Sequence, residues 1–294
     1  MRLLLRWWRG SVENLGEGED LKLVSYSTGG GTPHVGYVED GEVHPLGGSS
    51  MLDYIEHGRS ADRQPGGEVV PLSEARLHAP IGRPGKIIAI GLNYEDHAAE
   101  TGGEAPEKPI VFAKYPNTII GPGEAIRIPP ITEQADYEAE LGVVIGRPAK
   151  NVSESEALDY VFGYINCNDV SSRDLQFSEG GQWTRSKSID TFAPIGPYIA
   201  TRDEVFDPQD LSIRCVLNGE TMQDSTTAKM IFPVSELISF LSTGMTLMPG
   251  DIIMSGTPAG VGFARDPKVF LKAGDEVTIE IEGLGSLTNP VEAG

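Results

Sequence analysis

Two glutamates spaced i, i+2, Glu138 and Glu140 in the stretch DYEAELGVVIG, are the first residues whose types and spacing suggest chemistry. The stretch is rich in β-branched residues, and side chains in a strand alternate faces, so both carboxylates point the same way. Like charges that close repel. A hard divalent cation such as Mg²⁺, Mn²⁺ or Ca²⁺ resolves the repulsion by taking their oxygens. The wet face of an edge strand also accommodates an isolated E-x-E, so other residues must decide between the two. Asp169 offers a third carboxylate where the apolar strand YVFGYINCN gives way to DVSSRDLQ, although an acid at that place also reads as a helix cap beside Ser171 and Ser172. Asp136 shares the parity of the glutamates, but its place at the strand's entry allows it to face solvent.

Three further clusters carry chemistry. Arg173 and Gln176 are neighbours on a helix face and suit gripping a carboxylate and a carbonyl. In GLNYEDHAAETGG, His97 and Glu100 fall on one helical face, and a carboxylate that orients an imidazole makes a general base near neutral pH. An exposed amphipathic turn is the bland alternative. Gly91 before this segment and Gly102-Gly103 after it are hinge-capable, so the segment can act as a lid. Lys187, in WTRSKSIDTFAPIGP, is either an ammonium aimed into a site beside a metal or, more commonly, a surface lysine. The loop in PGDIIMSGTPAGVG ends a buried strand with Ser255, Gly256 and Thr257, and can offer N–H groups and a hydroxyl to an anion. It lacks the Lys-Ser or Lys-Thr pair of a P-loop and also reads as a plain Gly-Pro turn.

The elements that must position these groups are mostly strands. LKLVSYS and HVGYVEDGEVHPL, the latter with an Asp40-Gly41 hairpin signal, precede a helix at MLDYIEHG and a polar loop. Pro and Gly crowd residues 80 to 85 and mark a boundary. Beyond it run KIIAIG, PIVFAKY, YEAELGVVIG, YVFGYINCNDV, LSIRCVLNG, DIIMSG and DEVTIEIEGLG, with helical periods only at 153–159 and PVSELISFLSTG. The reading is a tail over 1–20, a small N-terminal domain over 21–82 and a larger, mainly β (α+β) domain over 83–294. The 43 acidic against 23 basic side chains, a formal charge of −20, argue against a nucleic-acid groove or an anionic membrane surface as the main partner. Two cysteines build neither a disulfide framework nor a zinc site, so a reducing, cytoplasmic compartment is the default. No apolar run reaches the ~20 residues a bilayer requires.

Taken in order, GLNYEDH, DYEAELGVVIG, GYINCNDVSSRDLQ, KSIDTFAPIGP, LNGE followed by MQ, and DIIMSGTPAGVG closely resemble the fumarylacetoacetate hydrolase family, from Lys86 to Val291. The resemblance implies a mixed β-sandwich roll with a small N-terminal domain, a homodimer, and Mg²⁺ or Mn²⁺ held by Glu138, Glu140 and Asp169. It also implies a catalytic His97–Glu100 pair, an active-site Lys187, and substrate contacts from Arg173, Gln176 and Thr257. The family's larger enzyme of tyrosine breakdown has a further metal-binding Asp upstream of its His; that position is Ile90 here. Only one copy of the motif set is present, unlike the tandem isomerase-decarboxylases. The short branch that remains implies hydrolysis of the carbon–carbon bond of small 2,4-dioxo acids of acylpyruvate or fumarylpyruvate type, releasing pyruvate. The alternatives are oxaloacetate decarboxylation or tautomerisation, and isomerisation of 2-hydroxyhepta-2,4-diene-1,7-dioate.

Overall fold

The computed structural model describes residues 21–57, 67–178 and 180–294, and the tail expected over 1–20 lies outside them. The alternating apolar segments form strands. In the first part of the chain these are β1 (Lys22–Ser27), β2 (His34–Glu39) and β3 (Glu42–Pro45), followed by the helix α1 (Met51–His57). Asp40 and Gly41 join β2 to β3 with φ of 47° and 81°, the left-handed pair that a two-residue hairpin turn requires. Then come β4 (Ile87–Gly91), α2 (Glu95–Glu100), β5 (Ile110–Lys114), β6 (Ala139–Ile145) and β7 (Val161–Asn168). The helices α3 (Arg173–Ser178) and α4 (Trp183–Lys187) precede β8 (Ala193–Thr201), β9 (Ser212–Leu217) and β10 (Glu220–Thr226). The chain closes with α5 (Val234–Gly244), β11 (Ile252–Met254), β12 (Glu276–Ile281) and β13 (Ser286–Ala293). The helical period at 153–159 is realised as a 3₁₀ segment, Glu154–Tyr160.

A twelve-stranded mixed sheet has the path Val70–Pro71, β3, β2, β1, β8, β7, β6, β11, β4, β5, and a five-stranded sheet runs β10, β9, β12, β13, Ile126–Ile128. Lys22 of β1 lies opposite Ala200 of β8, so the N-terminal segment shares its sheet with the rest of the chain. One face of the large sheet, including Leu141, Val143 and Tyr164, packs against Ile213, Ile279 and Leu287 of the five-stranded sheet and Leu237 and Leu241 of α5. On the other face, Val144, Phe162, Ile165 and Ile199 pack with Met51, Tyr54 and Ile55.

Period-two alternation along β6 sends Ala139, Leu141, Val143 and Ile145 into the sandwich core. Glu140, with the parity of Val144, therefore emerges on the opposite face. Glu138 shares that direction although the strand starts at Ala139, one turn of alternation later than its β-branched pattern suggests. In the antiparallel β6–β7 ladder Glu140 faces Cys167 and Ala139 faces Asn168. One step further, the Asp169 amide donates to the Glu138 carbonyl at 2.9 Å. Opposed residues of a ladder present their side chains to the same face, so register delivers Asp169 to the glutamates.

Candidate active site

Oxygen atoms of Glu138, Glu140 and Asp169 lie within 4.8 Å of one another, and all three side chains are buried. Asp169 does not cap a helix: both its oxygens accept from lysines, Oδ1 from Lys114 Nζ at 2.5 Å and Oδ2 from Lys187 Nζ at 2.7 Å. Lys187 Nζ also donates to Glu138 Oε2 at 2.6 Å, and it sits 5.0 Å from the Phe112 ring centre. It is 3% exposed, so the surface-lysine reading does not hold. Burial lowers the Lys187 ammonium's proton affinity, but the charges of Asp169 and Glu138 outweigh it and hold the group protonated. Burial likewise pushes the Glu138 carboxyl up, yet Lys187 and Arg173 bring it down to about 2. Glu140 differs. Its Oε2 accepts from the Gly256 amide at 2.9 Å, no cation touches it among the described residues, and burial together with the Asp169 and Glu138 charges drives its carboxyl well above the usual range.

Asp136, which the sequence left free to face solvent, is fully buried and is the hub of a second network. Its Oδ2 accepts from Arg173 Nε at 2.9 Å and from the Phe263 amide at 3.1 Å, and its Oδ1 accepts from the Gly262 amide at 2.8 Å. The burial follows from the short ribbon in which Asp136 pairs with Ser171, folding the strand entry beneath α3. Arg173 continues the network, donating from NH2 to Glu138 Oε1 at 2.6 Å and from NH1 to Gln176 Oε1 at 2.9 Å, with Phe263 stacked 4.4 Å over its guanidinium. The i, i+3 spacing of Arg173 and Gln176 thus produces a direct contact, and the guanidinium braces a carboxylate of the protein itself. The Gln176 amide nitrogen has no partner among the described residues.

His97 and Glu100 meet on α2, where Nδ1 and Oε1 are 2.7 Å apart. His97 is buried rather than part of an exposed turn, and the loop that bonds Glu140 through its Gly256 amide also bonds Glu100 through its Gly260 amide, which brings the pair beside the carboxylates. Glu100 Oε2 accepts from the Gly260 amide at 2.9 Å, so both its oxygens are engaged. With Nδ1–H directed at the carboxylate, Nε2 keeps the free lone pair. The 255–262 loop spends its Gly256 amide on Glu140 rather than on an external anion. Thr257 Oγ1 accepts from Gln223 Nε2 at 2.8 Å, while Gln223 Oε1 accepts from the Ala139 amide at 2.9 Å.

Gly91 is not a hinge but a close-approach glycine. A Cβ there would lie 2.0 Å from the Trp183 ring, at the start of the helix whose last residue is Lys187. Gly91→Ala is expected to displace α4, costing about 1–3 kcal/mol of stability and lowering kcat more than thermal stability alone explains. Parental denaturation midpoint and turnover would show that α4 tolerates the methyl group.

Three residues escaped the sequence reading. Lys114 carries only a faint signal, a lysine sharing the parity of buried Phe112 at the end of an apolar strand; it is 2% exposed. Asp136 was noticed but misplaced, and Gln223, although part of the MQ in the family-like pattern, was given no role. Together, buried Asp136, Glu138, Glu140 and Asp169 face buried Lys114, Arg173 and Lys187, so four carboxylates against three cations give a formal charge of −1 when all are ionised. Hard oxygen donors concentrated around an unpaired Glu140 fit Mg²⁺ or Mn²⁺. Glu138, Glu140 and Asp169 would hold the ion.

The model of the family described as "Fumarylacetoacetate (FAA) hydrolase C-terminal" matches residues 86–292, and that described as "Rv2993c-like, N-terminal" matches residues 21–80. A fumarylacetoacetate hydrolase domain-containing protein 2 homolog of Dictyostelium discoideum is 52% identical over 233 residues, 76% of this chain and 76% of its own length. A mitochondrial oxaloacetate tautomerase of Xenopus laevis is 45% identical over 256 residues, 87% of this chain and 77% of its own. Among solved structures, a 2-hydroxyhepta-2,4-diene-1,7-dioate isomerase from Mycobacterium marinum superposes with a TM-score of 0.78 at 38% identity, covering 93% of this chain and 98% of its own.

Proposed function

This chain belongs to the fumarylacetoacetate hydrolase family, and from that premise we propose that it is a Mg²⁺- or Mn²⁺-dependent enzyme that moves a proton on a small 2-oxo acid. The observation that carries the reading is a buried carboxylate cluster joined to a His97–Glu100 pair by one loop, whose Gly256 amide bonds Glu140 and whose Gly260 amide bonds Glu100. Glu138, Glu140 and Asp169 would hold the divalent ion, which would supply Lewis-acid polarisation of a keto oxygen and offset the site's formal negative charge. His97 Nε2 takes the proton from the carbon beside the keto group; the C–H pair becomes the new C=C bond as the carbonyl π pair moves onto the keto oxygen. Lys187 stabilises the resulting enolate with its third N–H, since an ammonium has three donors and Glu138 and Asp169 use two. Glu100 holds the imidazole and stabilises its charged form. Returning the proton to oxygen gives the enol; returning it to another carbon shifts a double bond. The Gln176 amide nitrogen, beside Arg173, is a donor that can orient the substrate.

Carbon–carbon hydrolysis, the leading expectation from the sequence, asks Glu100 to help activate a water. Here its oxygens already bond His97 and the Gly260 amide, which supports proton transfer by His97, and the Xenopus relative is named a tautomerase and the Mycobacterium one an isomerase. The test is a panel with Mg²⁺ or Mn²⁺: oxaloacetate followed by loss of enol absorbance, a 2-hydroxydienedioate followed by double-bond migration, and acetylpyruvate and fumarylpyruvate followed by pyruvate release. Metal-dependent tautomerisation or isomerisation is expected to exceed pyruvate release. Dominant pyruvate release would return the chain to the hydrolases, and no metal-dependent turnover of any of these would overturn the proposal.

A further inference from the structure

The helix that presents His97 is tied down by an acid that the chemistry above does not use. Asp96 Oδ2 accepts from Ser225 Oγ at 2.7 Å and from Lys229 Nζ at 3.0 Å, and Oδ1 accepts from the Ala259 amide at 3.2 Å. The three donors come from three places: β10, the turn Thr227–Lys229 and the 255–262 loop, whose Gly256 amide bonds Glu140. Burial would raise the Asp96 carboxyl, but these hydrogen bonds and the Lys229 charge keep it below the usual range, so it is an anion at neutral pH.

α2 needs such an anchor. It has six residues and no side-chain N-cap, too little to hold a helix by itself. Its stem is fixed, because the Asn93 side chain bonds Ser255 and Phe232 and the Ile231 amide donates to the Asn93 carbonyl. Its far end is not: residues 101–105 are exposed and Gly102 sits at φ 69°. Between stem and far end, the side chains of α2 that hydrogen-bond the rest of the protein, among the described residues, are Asp96 and Glu100.

We propose that Asp96 is the positioning residue of the His97–Glu100 pair, clamping α2 to Ser225, Lys229 and Ala259 so that the imidazole is held in register with the carboxylate cluster. The proposal rests on reading His97 as the base. Misplacing a base by about an ångström costs up to about 100-fold in rate, whereas an ion pair whose lysine is 45% exposed adds little to global stability. Loss of the clamp is therefore a local event.

The experiment compares the full chain with Asp96→Ala and Lys229→Met by hydrogen exchange, thermal unfolding and steady-state kinetics on the panel substrate with the highest turnover. For Asp96→Ala the expected results are exchange over 95–101 faster by about tenfold or more, and kcat lower by about 10- to 100-fold. KM is expected to change less than kcat and the Mn²⁺-induced rise in Tm to be kept. Lys229→Met should move both readouts the same way by a smaller factor. Unchanged exchange over 95–101 in Asp96→Ala overturns the proposal, as does a parental kcat with α2 loosened. If Asp96→Ala does not fold, exchange in Lys229→Met decides in the same sense. If the parent turns over none of the panel, the functional reading falls alone and exchange still decides whether Asp96 holds the helix.

Discussion

Replacing Glu140 by glutamine is expected to leave the metal-free protein at least as stable as the parent while removing its metal-dependent turnover. Glu140 is 1% exposed and faces the charges of Asp169 and Glu138, with the Gly256 amide as its hydrogen-bond donor among the described residues. An amide oxygen keeps that hydrogen bond, and the neutral side chain relieves the repulsion. The same change deletes one oxygen ligand and the negative charge that draws a cation in. Turnover should fall by about 10²–10³-fold or more, and the rise in Tm that Mn²⁺ gives the parent should vanish. Glu138→Gln, two residues away, has the opposite sign for stability. It strips Lys187 and Arg173 of a shared buried partner, a loss of about 3–5 kcal/mol. Thermal unfolding in chelator and in Mn²⁺ separates the two variants. A Glu140→Gln protein that is markedly destabilised without metal, or that still gains stability from Mn²⁺, would contradict the electrostatic assignment.

His97→Ala is expected to lower kcat by about 10²–10⁴-fold, the range for removing a positioned general base. Mn²⁺ binding should survive, because the imidazole bonds Glu100 and not the three ligands, and Glu100 stays fastened to Gly260. Titrating Mn²⁺ by its effect on Tm, alongside kcat, gives both halves of the test. Parental turnover in this variant would remove His97 from the chemistry, and lost metal binding would mean that the histidine supports the cluster instead.

These two expectations rest on features of different range. The contact of His97 with Glu100, and that of Arg173 with Gln176, was legible because residues three apart on one helical turn are neighbours whatever surrounds them. The common direction of Glu138 and Glu140 was legible because extended backbone alternates, and it holds even though the strand proper starts only at Ala139. The Asp40-Gly41 hairpin and helix α5 were legible for the same local reasons, as was the predominance of strands.

Asp169 stands between the two kinds of feature. Its type and its place at a strand end were visible, but whether it would cap a helix or join the glutamates depended on the β6–β7 register, which the packing of Leu141, Val143 and Tyr164 into the core sets. For Lys187 the local residues left a site ammonium and a surface lysine both open, and the helix that begins at Trp183, seated against Gly91, buries it. Asp136 looked wet until the 171–172 ribbon and the 262–263 amides closed over it, and Lys114 and Gln223 reach their partners from strands that no local rule pairs with β6. By itself the sequence determined which groups could do chemistry and which near neighbours share a face, since backbone geometry repeats over two to four residues. Only the tertiary structure decided that four acids and three cations share one buried site, because strand register and helix docking are chosen by core packing summed over the whole chain, and burial then makes their charges act on one another.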